Sequence, residues 1–332
     1  MAVSRQVKRR IGIACIVLGV AVVIVGVWKL LPDILSQNDF RNFAEDVKRD
    51  PDGDPDDKGD GNSQDDGDGP SDEVPYDIDW DEVWRQNEDA RAWVSVDGTN
   101  IDYPVLQGDD NLYYLYHDIW GRESYASVFL DYRADPNGRN CPVFAHTHSQ
   151  VLNGFGFSEI AEAHNQWRFD ELGTVWYSTP EAGALDFTPV AALHVTPDYE
   201  TVQTFDWSVD DSRVQDEVDA ILARHAALGE WNKITVANAP VPFEADRCVR
   251  VGNKGGASGV DHWWVLSDAE MEQARERAKD VSWREWVRGM CADATAGRGD
   301  AEELISKANR CVVLACCSWP FDDHRTLLVC VR

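Results

Sequence analysis

Basic residues are scarce in this 332-residue chain: 31 Lys and Arg stand against 59 Asp and Glu, a formal charge of −28. Phosphate contacts need a basic face, so the deficit excludes a nucleic-acid partner. No Cys-x-x-Cys pair and no His/Cys spacing typical of zinc is present, which argues against a metal centre. The many Asp residues after position 50 lack the closing Glu and flanking helices of an EF-hand, so they do not form a calcium loop. No internal repeat is visible. The chain is too long for one minimal core and fits one large domain or two small ones.

What is present begins with a membrane address. Arg5, Lys8, Arg9 and Arg10 precede Ile11 to Trp28, eighteen residues without a charge. About 18–20 apolar residues cross a bilayer as a helix. The flanking charges put the N-terminus in the cytosol and the rest of the chain outside. The run is longer than a signal-peptide core, and no small-x-small cleavage site follows it, so it is read as an uncleaved anchor. Residues 1–10 form the cytosolic tip, 11–31 the anchor and 32–49 a short helix. Residues 50–75 are an acidic tether. Glu45 to Glu73 holds thirteen acids against Lys48, Arg49 and Lys58. Such a segment buries too little apolar surface to offset its chain entropy.

Residues 76–332 read as the folded part. Trp80 to Trp93 is expected to be helical. Short apolar runs bounded by turn residues follow at Ile101–Leu106, Ser127–Asp131, Cys141–His146, Gly173–Ser178 and Thr188–Val195. Many short strands suggest a mostly-β barrel or sandwich with a few helices. Residues 206–281 differ. Val214, Val218, Ile221 and Leu222 recur at helical spacing, and Ser267-x-x-Glu270 resembles a capping box. This zone is expected to be a helical and loop insertion.

Seven cysteines lie outside the anchor, an odd number that leaves at least one thiol unpaired even if disulfides form. Cys311 to Cys317 and Arg325 to Val331 are apolar runs flanking a turn-rich break, which predicts an antiparallel hairpin. Cys317 and Arg325 would then oppose one another, and Cys311 would lie near Cys330. A guanidinium beside a thiol favours thiolate or stabilises an oxyanion on a substrate carbonyl. Successive strand residues face opposite ways, so Cys316 shares a face with Val312 and Leu314, and Cys317 with Val313 and Ala315. A base remains to be found among His117, His146, His148, His164, His194, His225, His262 and His324. His146 ends an apolar run much as Cys317 does.

These motifs resemble the sortases, most closely class B, the membrane-anchored cysteine transpeptidases of Gram-positive bacteria. The likeness runs through Arg91–Gly108, Asp110-Asn-Leu-Tyr-Tyr-Leu115 and Val128-Phe-Leu-Asp-Tyr-Arg133. It continues through Val143-Phe-Ala-His146 and Phe155–Ile160, and closes with Leu314-Ala-Cys-Cys-Ser-Trp-Pro-Phe-Asp-Asp-His-Arg325. It covers roughly 80–205 and 282–332. It implies a sortase-type β-barrel with an N-terminal helix and an insertion. Cys317 would be the nucleophile, His146 the general acid/base and Arg325 the essential arginine. His148 is a reserve base. Asn111 and Leu115 would wall the sorting-signal site, with Thr196 and Tyr199 lining the groove.

The resemblance further implies no cofactor and a single-pass protein of the cell membrane with its catalytic domain outside. Its substrates would be secreted proteins bearing a C-terminal sorting signal. The acceptor would be a peptidoglycan stem or cross-bridge amine, or, in the alternative, a pilin lysine. A hydrolase, or a catalytically inactive barrel that binds sorting signals, are rival readings. Three departures stand out: Ala145 replaces the usual Gly before the His, Cys316 replaces the usual Thr before the nucleophile, and the insertion is long.

Overall fold

The computed structural model describes residue 19 and residues 38–49, 76–123, 127–145, 156–199, 211–228, 233–237, 248–252, 260–317 and 324–332. The tether expected over 50–75 lies outside the described residues, as does the anchor over 11–31 apart from Gly19. Among the described residues no helix is long and apolar enough to cross a membrane.

Eight strands close a barrel: β1 (Ala90–Val96), β2 (Asp102–Leu106), β3 (Val128–Leu130), β4 (Asn140–Ala145), β5 (Val175–Thr179), β6 (Gly183–Val195), β7 (Cys311–Cys317) and β8 (Arg325–Val331). Their order is β6-β8-β7-β4-β3-β2-β1-β5, and a β5–β6 pairing completes the ring. The β4–β7 and β2–β3 pairs are parallel. Closure removes the open edges that a sheet of this size would otherwise expose.

Two apolar layers explain why β7 and β8 read as unbroken hydrophobic runs. Val312, Leu314, Cys316, Leu328 and Cys330 point into the barrel, against residues that include Val143 and Trp93. Cys311, Val313, Ala315, Leu327, Val329 and Val331 face outward. Helix α5 (Asp268–Ala292) and helix α6 (Ala301–Lys307) cover that outer face with Trp283, Val287, Met290 and Ile305. A strand buried on both faces has no polar side to alternate with.

Helix α1 spans only Trp80–Gln86, and the expected continuation to Trp93 is instead strand β1. Asn87 turns to an extended backbone and ends the helix. Trp93 then pairs with Pro104 of β2 and Ser178 of β5, and its fully buried ring fills the barrel. Long-range pairing overrides the local helical pattern here.

The helix expected within 32–49 is present over residues 38–47. Phe40, Phe43, Ala44 and Val47 are buried in the barrel core, and the Asp79 amide donates to the Val47 carbonyl at 2.8 Å. Lys48 and Arg49 pair with Ile78 and Asp77 in a short ladder. By packing, residues 38–49 belong with the barrel that the sequence reading began at 76.

The insertion carries helix α4 (Asp211–Leu228) and the N-terminal part of α5, which pack through Val218, Ile221, Leu222, Leu266, Met271 and Ala274. Ser267 and Glu270 form the expected capping box. The insertion also holds an antiparallel sheet of Lys233–Ala237, Val260–Val265 and Cys248–Gly252, where only helix and loop were expected.

Candidate active site

The barrel register lays out the floor of a cleft of about 400 Å³. Phe129, Phe144, Ala315 and Leu327 are successive cross-strand partners from β3 through β4 and β7 to β8, and all four line it. The Phe129 and Phe144 rings lie 5.7 Å apart. Beyond Ala315 and Leu327 the hairpin brings Cys317 opposite Arg325, and both line the cleft. Val195 of β6 is the cross-strand neighbour of Arg325 and continues the wall.

The two adjacent cysteines are separated by the pleat. Cys316 is 1% exposed within the barrel core, whereas Cys317 is half-buried at the cleft. Arg325 donates from Nη1 to the His324 carbonyl at 3.0 Å, which steadies its guanidinium beside the strand end.

All four residues expected to wall the site line the cleft. Leu115 comes from helix α2 (Tyr113–Tyr116), Asn111 from the turn before it, and Thr196 and Tyr199 from the segment after β6. Tyr199 donates from its hydroxyl to Asp293 Oδ2 at 2.8 Å, tying that wall to the C-cap of α5. Asn111 is engaged differently from a simple substrate contact. Its Nδ2 donates to Asp131 Oδ2 at 2.8 Å, and its Oδ1 accepts from the Tyr132 amide at 3.0 Å.

Asp131 and Arg133 also line the cleft, although the sequence reading gave them no role. The signal was within the quoted Val128–Arg133 motif, an Asp-x-Arg directly after a strand. Arg133 donates from Nε and Nη2 to the two oxygens of Asp131, at 2.9 and 3.0 Å. Burial would raise the Asp131 pKa, but the Arg133 and Asn111 hydrogen bonds outweigh it and hold the carboxyl below its ordinary range.

His146 and His148 lie outside the described residues. Ala145, the residue before His146, lines the cleft and stands in register with Cys316. Three of the other histidines form a stack: the His164 and His194 rings are 4.3 Å apart, and His194 and His324 are 4.7 Å apart. His194 and Thr326 are cross-strand partners on the barrel-interior side, and His164 Nδ1 lies 3.1 Å from Thr326 Oγ1. His117 stacks on Tyr113, and His225 pairs with Glu270.

Cys141, Cys291, Cys311, Cys316, Cys317 and Cys330 form no disulfide. The expected nearness of Cys311 and Cys330 is corrected by one residue of register. Cys311 opposes Val331, and Cys330 opposes Val312, so the two thiols lie on opposite faces of the sheet. Burial pushes Cys141 up to about 12 and Cys291 up to about 11, and holds Cys311 and Cys330 well above the ordinary thiol value.

No protein-family model matches the chain. Sortase B of Listeria monocytogenes is 42% identical over 53 residues, which is 16% of this chain. The match spans 22% of that relative's own length. Sortase B of Clostridium perfringens is 18% identical, with a TM-score of 0.46 over 76% of this chain and 98% of that one. A Streptococcus pyogenes class B sortase involved in pilus biogenesis gives 17%, 0.43, 77% and 98% in the same terms. Sortase B of Staphylococcus aureus gives 14%, 0.42, 76% and 85%. In sequence the chain is similar to class B sortases, as its motifs implied.

Proposed function

We propose that this chain is a membrane-anchored cysteine transpeptidase that joins secreted proteins to an amine of the cell wall. The observation that carries the reading is the pairing of Cys317 with Arg325 across the β7–β8 ladder, at one end of an apolar cleft. Cys317 attacks the carbonyl of a peptide bond in a C-terminal sorting signal, forming a C–S bond as the C–N bond breaks. The leaving amine takes its proton from His146. An incoming amine then gives a proton back to His146 and forms a new C–N bond as the C–S bond breaks. Arg325 stabilises the oxyanion in both steps.

Strand continuity supports His146 as the base. Ala145 and Cys316 are register partners on parallel strands. His146 follows Ala145 in the sequence as Cys317 follows Cys316, and consecutive Cα atoms are only about 3.8 Å apart. The charge-free run Ile11–Trp28 supports the anchor, with the catalytic part outside the cell.

The test is cleavage of a sorting-signal peptide library by the full chain in detergent micelles, with and without an added amine. Amide product formed only with the amine identifies a transpeptidase. Free acid as the sole product would make it a hydrolase, and no cleavage of any library member would leave a binding barrel. Offering a peptidoglycan stem peptide and a lysine-bearing pilin segment side by side identifies the acceptor.

A further inference from the structure

Only residues 32–37 separate the apolar run that ends at Leu31 from the helix over 38–47. Even fully extended, the chain from Leu31 to Asn38 spans at most about 25 Å. The acidic segment over 50–75 adds nothing to this link, because its two flanks are held side by side. Lys48 pairs with Ile78, and Arg49 with Asp77. The Asp79 amide donates to the Val47 carbonyl, Lys48 Nζ lies 2.6 Å from Asp102 Oδ1, and Arg49 pairs with Asp79. The chain thus returns to the barrel where it left it, and residues 32–37 alone set the reach from the anchor.

The start of the 38–47 helix has a fixed neighbour. The Phe40 and Trp120 rings lie 4.9 Å apart, and Arg122 donates from Nη1 to Asp39 Oδ2 at 2.7 Å. Between those two residues sits Gly121, where a Cβ would lie 3.8 Å from the Tyr113 hydroxyl. Helix α2 therefore stands beside the residues that receive the chain from the anchor.

The side chains of α2 and its N-cap go three ways. Tyr114 is buried and donates to Asp89 Oδ2 at 2.6 Å, and Leu115 lines the cleft. Leu112, Tyr113 and Tyr116 are 64%, 49% and 47% exposed. Spacings of three and four residues bring Leu112 and Tyr113 to the side of the turn that carries Tyr116. Asp110 is turned back onto the Leu112 and Tyr113 amides, at 2.8 and 3.0 Å. An aliphatic side chain flanked by phenol rings suits the headgroup level of a bilayer, where the ring meets lipid and the hydroxyl meets water. In a chain of net charge −28, attraction to anionic headgroups does not seat such a surface; apolar contact and a short link do.

We propose that Leu112, Tyr113 and Tyr116 form a membrane-contact surface, held at the lipid headgroups by the short link over 32–37. This rests on reading Ile11–Trp28 as a membrane anchor. The occupant is the bilayer that holds the anchor, since the link keeps it within about 25 Å of the helix start. Asn111 and Leu115, on the same segment, then set the rim of the cleft at the membrane surface.

The experiment uses the full chain in vesicles of phosphatidylethanolamine and phosphatidylglycerol. A photoreactive benzoylphenylalanine replaces Leu112, Tyr113, Tyr116 or, as control, the exposed Lys307 on α6, which covers the outer face of β7 and β8. Mass spectrometry after illumination should find lipid adducts at 112, 113 and 116 and only background at 307. Lipid adducts no more abundant at those three positions than at 307 overturn the proposal, and adducts to protein in their place assign the surface to a protein partner. Inserting about twenty Gly and Ser residues within 32–37 adds roughly 25 Å of flexible reach and should lower the lipid adducts. Deleting 52–74 should leave them unchanged. Adducts that fall on the deletion and not on the insertion overturn the short link. Vesicle flotation separates the two readings: a chain that does not float overturns the anchor and this surface together, whereas one that floats without lipid adducts overturns the surface alone.

Discussion

Cys317 and Arg325 are the last pair of the β7–β8 ladder, directly opposite one another where the hairpin opens. Cys316, one residue earlier, faces Thr326 inside the barrel. Replacing Cys317 by Ala should abolish peptide cleavage. Cys316→Ala should leave much of it, with a stability cost of about 1 kcal/mol for a small cavity in the barrel. Mass spectrometry of cleavage products and thermal unfolding of both variants read these outcomes, and activity surviving in Cys317→Ala would remove it as nucleophile.

The same pleat predicts which thiols react. Under native conditions at neutral pH, an alkylating reagent should modify Cys317 and spare Cys141, Cys311 and Cys330, whose burial suppresses the thiolate. All four should react after denaturation without reductant, because none is held in a disulfide. Peptide mapping after labelling checks both statements. Rapid native labelling of Cys311 would contradict its placement beneath α5.

Residues 38–49 set where a soluble fragment can begin. A fragment starting at Tyr76 strips Phe40, Phe43 and Val47 from the barrel core. It should melt well below one that starts before Asn38. In the longer fragment Phe43→Ala should cost about 3–5 kcal/mol, as for other buried Phe truncations. Equal melting temperatures for the two fragments would mean that the helix contributes nothing to the barrel.

The histidine stack predicts an acid limb of stability. Burial, with His164 and His324 alongside, lowers the pKa of His194 below its ordinary value of 6.5. Between the folded and unfolded values the unfolded chain binds more protons, so stability falls as pH drops below about 6.5. A melting-temperature series from pH 7.5 to 5 should show this fall in wild type and a shallower one in His194→Phe. Parallel curves for the two proteins would show that the stack is not the cause.

Much of the candidate cleft is legible in the sequence because it is local. Two seven-residue apolar runs around a turn-rich break fix the Cys317–Arg325 register, and strand alternation separates Cys316 from Cys317. The motif resemblance points to Asn111, Leu115, Thr196 and Tyr199, and all of them line the cleft. What escaped depends on contacts distant in sequence. Ala90–Trp93 looks helical until β2 and β5 pair with it. The role of Asn111 as a brace for the Asp131 turn needs two loops twenty residues apart to meet. The one-residue offset between Cys311 and Cys330 is set by the full ladder, and an approximate hairpin cannot supply it.

Helix α5 runs for 25 residues, about 37 Å of uninterrupted rod. Near its start Met271 and Ala274 are seated in the insertion's own core, midway Trp283 and Val287 are pinned to the barrel, and at its end Asp293 grips Tyr199. The added domain and the groove wall thus share one stiff beam. The helical core of the insertion and the Tyr199 wall of the cleft are therefore joined through one continuous helix, anchored between them on the barrel by Trp283.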